Sequence, residues 1–136
     1  MDREPFEKLV EEALESLPGK FKKLIHNVAV IVEDYPTRET RQNVGAPSRT
    51  SVLGIYHGVP FKHRGPYYGN IPPDVIVIYQ KPIESISASD EEVRNRVQEV
   101  IIHEVGHYFG FSDHELREIE RQSRIRKTPR AHNEES

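Results

Sequence analysis

The 136-residue chain contains no cysteine. Disulfide bonds, thiolate catalysis and thiolate metal sites are therefore excluded, and any bound metal must use nitrogen and oxygen ligands. Long hydrophobic runs are lacking too, since stretches such as residues 28–32 and 75–79 are far too short to span a bilayer. The N-terminus has neither the basic start nor the apolar stretch of a secretory signal, so we expect a cytoplasmic protein without a membrane partner.

A strong positive charge is also missing, because the formal net charge is −3. Nucleic-acid binding usually needs a concentrated basic face, and we therefore expect no nucleic-acid partner. The basic cluster near the end is interrupted upstream by acids and is typical of a solvated helix end; it comprises Arg121, Arg124, Arg126, Lys127 and Arg130. The length suits one domain, which we place at residues 1–126, with 127–136 as a disordered polar tail.

The first half of the chain predicts one amphipathic helix and three strands. Apolar residues from Phe6 to Leu17 follow helical spacing, with Pro5 at the first helical position and a stop at residues 18–19. A short helical turn over residues 20–25 follows. The strands are predicted at residues 28–32, 52–57 and 74–79, the first of them buried on both faces. We expect a long surface loop at residues 37–51 and an irregular connection at residues 61–73.

The second half predicts two capped helices. Ser89 and Glu92 form a capping box at the start of the first, after residues 82–89 lead away from the third strand. Gly110 can adopt a positive φ and end this helix. Ser112 and Glu115 form a second capping box, which opens a last helix over residues 113–126.

The most informative motif lies near the end of the first of these helices. Residues 103–113 read H-E-x-x-H-x-x-G-x-x-D, with His103, Glu104, His107, Gly110 and Asp113 at the specified positions. Residues four apart share one helix face, so the two imidazoles can reach one metal ion. This spacing is typical of zinc hydrolases in which the glutamate is the general base.

Each motif residue has a predicted role. His103 and His107 would coordinate Zn²⁺ through neutral imidazoles, and Glu104 would be the catalytic base rather than a ligand. Asp113 would supply the third ligand, although an acid in the first turn of a helix is also favourable for local reasons. Rival third ligands are His114, Glu115 and Glu118. Tyr108 and Phe109 are interpreted as packing residues.

The motif resembles that of the zincin superfamily of metallopeptidases. The strands and the motif together, over about residues 4 to 120, resemble the small bacterial minimal zincin-like family. This resemblance implies an α+β fold in which helices pack on a small three-stranded mixed sheet, with the H-E-x-x-H motif on a C-terminal helix. The metzincins fit less well, because their third ligand is usually histidine and their methionine turn has no counterpart: Met1 is the only methionine here.

We therefore expect a zinc-dependent metallopeptidase acting on a peptide or protein substrate held along the sheet edge. One alternative is a catalytically weak or inactive zincin-derived module that binds peptide or protein. Another is a hydrolase of a different amide, since the site chemistry does not specify a peptide. Candidates for oxyanion stabilisation lie between the second and third strands, namely His57, His63, Arg64, Tyr67 and Tyr68.

Overall fold

The computed structural model describes residues 1–58 and 74–127. In these two ranges the elements, in chain order, are α1 (Arg3–Glu15), α2 (Gly19–Leu24), β1 (Val28–Glu33), α3 (Arg38–Val44), β2 (Gly54–His57), β3 (Asp74–Tyr79), α4 (Gln80–Ser85), α5 (Asp90–Tyr108) and α6 (Asp113–Lys127). None of the described helices has the length and apolarity that a bilayer crossing requires.

The three strands form one mixed sheet in the order β1-β3-β2. Strand β1 runs parallel to β3, with Val30 opposite Ile76, whereas β2 is antiparallel to β3, with Ile55 opposite Val77. The parallel pair needs a long crossover, and the chain between β1 and β3 contains both α3 and β2. The predicted α+β fold with a small mixed sheet is confirmed.

Helices α1 and α5 pack together and cover one face of the sheet. Phe6 on α1, Ile101 on α5 and Ile78 on β3 are each fully buried in the same hydrophobic cluster. Burying one such side chain contributes roughly 1.5–3 kcal/mol relative to leaving it exposed. The apolar stripe of the first helix therefore packs in the core, as its spacing predicts, and α5 is held rigidly along most of its length.

The expectation that the first strand is buried on both faces is wrong. Burial alternates along β1, and Ile31 remains 44% exposed. Alternate side chains of a strand point to opposite faces of a sheet. Because α1 and α5 cover only one of these faces, every second side chain of β1 stays accessible.

The predicted surface loop at residues 37–51 contains the short helix α3. Thr37 caps this helix by accepting a hydrogen bond from the Thr40 backbone N–H at 3.0 Å. Gly45 ends it in the left-handed region, with φ of 72°. The expectation of an uninterrupted loop is therefore wrong. The segment has the N-cap and C-cap residues of a helix, but it is polar and lacks the apolar stripe by which a helix is usually predicted.

Other boundaries also differ from the prediction, and α1 begins at Arg3, so Pro5 is not at the first helical position. Strand β2 begins at Gly54 rather than at residue 52, and α4 forms directly after β3, where we expected the chain to lead away without structure. Helix α6 extends to Lys127. The irregular connection predicted at residues 61–73 and the tail beyond residue 127 lie outside the described residues, so the domain boundary stays a prediction.

Candidate metal centre

Helix α5 brings the two motif histidines together. Ser89 accepts a hydrogen bond from the Glu92 backbone N–H at 3.2 Å, which confirms the predicted cap, and the helix then runs without interruption through the motif. The ring centroids of His103 and His107 lie 5.8 Å apart, with the planes at 66°. Their side chains are 40% and 55% exposed. Both imidazoles are therefore neighbours at an accessible position.

A tight turn folds α6 back against α5. Gly110 has φ of 88°, which confirms the predicted left-handed end of the helix. Ser112 and Glu115 then form the predicted capping box, with each side chain accepting a hydrogen bond from the backbone N–H of the other residue. The two helices are thus joined as an αα-hairpin, and residues late in α6 lie beside residues early in the motif.

The close approach of these helices depends on Gly106. A Cβ atom at this position would lie 2.2 Å from Cδ2 of Leu116, which is fully buried. The second variable position of the motif therefore accommodates the α6 side chain that anchors the hairpin. The motif thereby specifies a packing contact as well as metal-ligating groups.

Each histidine faces one carboxylate on α6. The Nε2 atom of His107 lies 3.0 Å from Oδ1 of Asp113, and the Nε2 atom of His103 lies 2.5 Å from Oε2 of Glu120. The hydrogen bond with His107 lowers the pKa of Asp113, with further lowering by the imidazole charge. The structure therefore pairs His107 with the predicted ligand Asp113, and it pairs His103 with Glu120, a residue that the motif does not include.

A sequence signal for Glu120 existed but was weak. Glu120 follows Asp113 by seven residues, and residues seven apart lie on one helix face. Leu116 lies between them on that same face and is buried. The spacing alone did not distinguish Glu120 from the other acids of a helix that is polar over most of its length.

The rival third ligands are engaged elsewhere. Glu115 accepts the backbone hydrogen bond of Ser112 at 2.8 Å, and Glu118 forms an ion pair with Arg121. His114 lines a separate cavity of about 400 Å³ with both of these glutamates, facing Pro18 and Lys20 at the start of α2. The structure does not bring these three residues into contact with the motif histidines.

The donor set fits zinc in its chemistry. Two imidazoles with carboxylate oxygens, and no sulfur, are ligands that catalytic zinc sites use. In the part of the chain that the structure describes, no three His, Asp or Glu side chains converge closely enough to hold a metal ion. The donors stand instead as two histidine–carboxylate pairs on adjacent turns.

Glu104 points from α5 towards the sheet edge. Its Oε1 accepts a hydrogen bond from the Tyr56 backbone N–H on β2 at 3.2 Å. Burial raises the pKa of Glu104, while this hydrogen bond and the neighbouring His107 and His103 act in the opposite direction. A carboxylate with a raised pKa accepts a proton more readily than an ordinary glutamate, which suits a general base.

Two tyrosines support this edge of the site. The rings of Tyr56 and Tyr108 stack with centroids 4.3 Å apart, and the Tyr56 hydroxyl donates to Asp74 at 2.7 Å. Phe109 contacts Tyr108 edge to face. The interpretation of Tyr108 and Phe109 as packing residues agrees with these contacts, although both rings remain about two-fifths exposed, at 42% and 43%.

Among the residues suggested for oxyanion stabilisation, His57 is exposed at the end of β2. The other four, His63, Arg64, Tyr67 and Tyr68, lie outside the described residues. That part of the prediction stays a prediction.

A groove of about 480 Å³ opens beside the motif. One wall is formed by β2 and the segment that precedes it, and the other by α5. Most lining side chains are apolar, and His103 and Glu104 stand at the α5 wall; the apolar lining comprises Val44, Ala46, Pro47, Val52, Leu53, Ile55 and Val100. An extended chain lying in this groove would pass the Glu104 carboxylate and the His103 imidazole.

The zincin-like metallopeptidase family model matches residues 25–123. This range includes all three strands, the H-E-x-x-H motif and most of α6, and the chain therefore belongs to the zincin-like metallopeptidase family. The resemblance inferred from the sequence is confirmed. No curated protein matches the chain.

Proposed function

We propose that this protein is a zinc-dependent metallopeptidase that hydrolyses peptide bonds. The observation that carries the proposal is the position of Glu104. This residue lies on the same helix as two imidazoles, accepts a hydrogen bond from the backbone of an edge strand, and lines an apolar groove. A carboxylate of raised pKa at this position supports its proposed role as the base that acts beside a substrate backbone. Membership of the metallopeptidase family supports the same reaction class.

In this proposal His103, His107 and one α6 carboxylate would hold the zinc, with Asp113 as the ligand predicted by the motif. When bound, zinc would polarise the substrate carbonyl and acidify a water molecule. Glu104 removes a proton from the attacking water as its oxygen forms a bond to the carbonyl carbon. Glu104 then delivers that proton to the amide nitrogen as the C–N bond breaks, so that one water is consumed for each bond cleaved.

The protein also orients its own base. The hydrogen bond from the Tyr56 N–H holds the Glu104 carboxylate beside β2. Tyr56 is in turn held by stacking on Tyr108 and by the hydroxyl contact to Asp74. Holding a catalytic group in place before reaction removes an entropic cost from the barrier.

The proposed substrate is a peptide or protein segment in extended conformation. Strand β2 lies at an edge of the described sheet, where a peptide can add as a further strand through backbone hydrogen bonds. The apolar lining of the groove favours a segment with hydrophobic side chains. The family and groove support this substrate over other amides, and cleavage of a peptide library compared with small amides tests that choice.

Metal analysis and hydrolysis of two variants test the proposed function. We expect His103→Ala to abolish zinc binding, and Glu104→Gln to retain about one zinc per chain while hydrolysis falls by about 10²–10⁴-fold, because only the base is lost. His114→Ala is the matched control, since this histidine lines a different cavity, and it should retain both properties. Wild-type protein that binds no zinc after reconstitution would overturn the proposal.

A second candidate function is a zincin-derived module that binds peptides without cleaving them. The specific observation in its favour is that the described donors stand as two pairs rather than as a converging set of three. Under this alternative, peptides bind the groove and the Glu104→Gln variant binds them as tightly as wild type, with no zinc-dependent cleavage by either protein.

A further inference from the structure

We propose that Glu120 is an oxygen donor of the metal centre, acting beside His103. This residue lies outside the H-E-x-x-H-x-x-G-x-x-D pattern, and the inference rests on the zinc site of the proposed function. It adds to that site a carboxylate that the motif does not specify, and it makes α6 a contributor of two oxygen donors.

The first argument is burial. The Glu120 side chain is 11% exposed, whereas those of Glu118 and Asp113 are 46% and 72% exposed. A buried carboxylate is costly unless it is paired or coordinates a metal. Of these three acids, Glu120 is the most buried, and His103, one of the groups that it contacts, is a predicted metal ligand.

The second argument is the identity of the atoms in contact. Glu120 Oε2 lies against Nε2 of His103, and Asp113 Oδ1 lies against Nε2 of His107. Each carboxylate therefore contacts the Nε2 atom of an imidazole, and the two imidazoles lie on successive turns of α5. A cation bound at either nitrogen would lie beside a carboxylate, although the His107–Asp113 contact is a hydrogen bond, the His103–Glu120 contact is an ion-pair contact, and only Asp113 belongs to the motif.

The third argument is that packing fixes the Glu120 backbone. Leu116, one turn earlier on α6, is fully buried against Gly106, and Ile119 packs against the same core. The Glu120 carboxylate therefore emerges from the anchored face of α6 towards α5. Its side chain is largely buried beside His103, whereas that of Asp113 is 72% exposed, so Glu120 is the more restricted of the two carboxylates.

A different role for Glu120 must be distinguished from this one. The carboxylate could act only through the imidazole, by orienting His103, and would then be a positioning residue. Both roles lower metal affinity when the carboxylate is removed, but only a donor changes the set of atoms around the metal. The test therefore needs a spectroscopic measurement as well as an affinity.

The experiment compares Glu120→Gln with Glu118→Gln, a matched change on the same helix at an exposed carboxylate. Zinc affinity is measured by competition with a chromogenic chelator, and the visible absorption spectrum is recorded after substitution with Co²⁺. We expect Glu120→Gln to lower zinc affinity by at least about tenfold and to change the Co²⁺ spectrum. Glu118→Gln should match wild type in both measurements.

If circular dichroism shows that Glu120→Gln fails to fold, Glu120→Asp replaces it in the experiment, because this variant keeps the charge. The Co²⁺ spectrum of Glu120→Asp should still differ from that of wild type, because the donor side chain is shorter. Zinc affinity unchanged in Glu120→Gln would overturn the inference. So would lower affinity with an unchanged Co²⁺ spectrum, which identifies a positioning residue.

Failure of the proposed function gives a different result. Zinc binding that depends on Glu120, without any hydrolysis that depends on Glu104, would refute the peptidase and leave the inference standing. Hydrolysis that depends on Glu104, together with zinc affinity that does not depend on Glu120, would refute the inference and leave the peptidase standing. A wild-type chain that binds no zinc would overturn both.

Discussion

Helix α5 has two parts in different environments. Over residues 90–102 its apolar side chains are buried against α1 and the sheet, including Val97 and Ile101, which are both fully buried. Over residues 103–108 the polar side chains of His103 and His107 are accessible, and the contacts come from β2 and α6 instead. One helix thus stabilises the fold with its first part and presents the proposed metal ligands on its last turns, so we expect that stability and metal binding can be changed separately.

The largest expected effect comes from the buried part. Ile101→Ala removes a fully buried side chain, and we expect the free energy of unfolding to fall by about 2–5 kcal/mol. His107→Ala, at a side chain 55% exposed, should change it by less than about 0.5 kcal/mol while it abolishes zinc binding. Denaturant unfolding and zinc titration of both variants test whether stability and metal binding are separate. Equal destabilisation by the two changes would contradict this expectation.

A smaller effect is expected where the two parts meet, at Gly106. Alanine here would bring Cβ to 2.2 Å from the buried Leu116, and overpacking of this kind costs about 1–3 kcal/mol. Alanine also has the higher helix propensity by about 1 kcal/mol, so the net loss of stability should be modest. Zinc affinity should fall as well, because α6 carries both carboxylates.

The matched control for Gly106→Ala is a double-mutant cycle with Leu116→Ala, measured by denaturant unfolding and zinc titration. The smaller side chain makes room for the new Cβ, so the two changes together should cost less than the sum of the single changes. Simple additivity of the two free energies would show that α6 does not depend on this contact for its position.

The smallest expected effect compares the caps at opposite ends of the α5–α6 hairpin. Ser89→Ala and Ser112→Ala each remove a side-chain acceptor from a helix N-terminus, and each should lower the free energy of unfolding by about 1 kcal/mol. Only Ser112→Ala should also weaken zinc binding, because it loosens the turn that carries Asp113. Equal zinc affinity of the two variants would show that the α6 cap does not contribute to the metal centre.

Several elements of this comparison were predictable from the sequence. The caps at Ser89 and Ser112 and the left-handed Gly110 are specified by residues within three or four positions of each other, and all three are confirmed. The strand at residues 74–79 is confirmed at both ends. Local hydrogen bonding and side-chain alternation decide these features, so a short window of sequence contains the information.

Other features depended on neighbours that no short window contains. Whether β1 is covered on one face or two depends on where α1 and α5 pack, and Ile31 is therefore exposed although its sequence context is wholly apolar. Helix α3 lacks an apolar stripe, so periodicity gave no sign of it. The partners of the two histidines also depended on how α6 lies against α5.

By itself, the sequence determined that two imidazoles and a carboxylate stand on adjacent turns of one helix, because helical periodicity fixes the relation between residues four apart. It also determined the capped turn that returns the chain over them. Only the tertiary structure decided that Glu120 meets His103, because that contact requires Leu116 to pack on Gly106 across a turn. It likewise decided that the edge strand holds Glu104, since β2 lies far from the motif in sequence and reaches it only through the sheet.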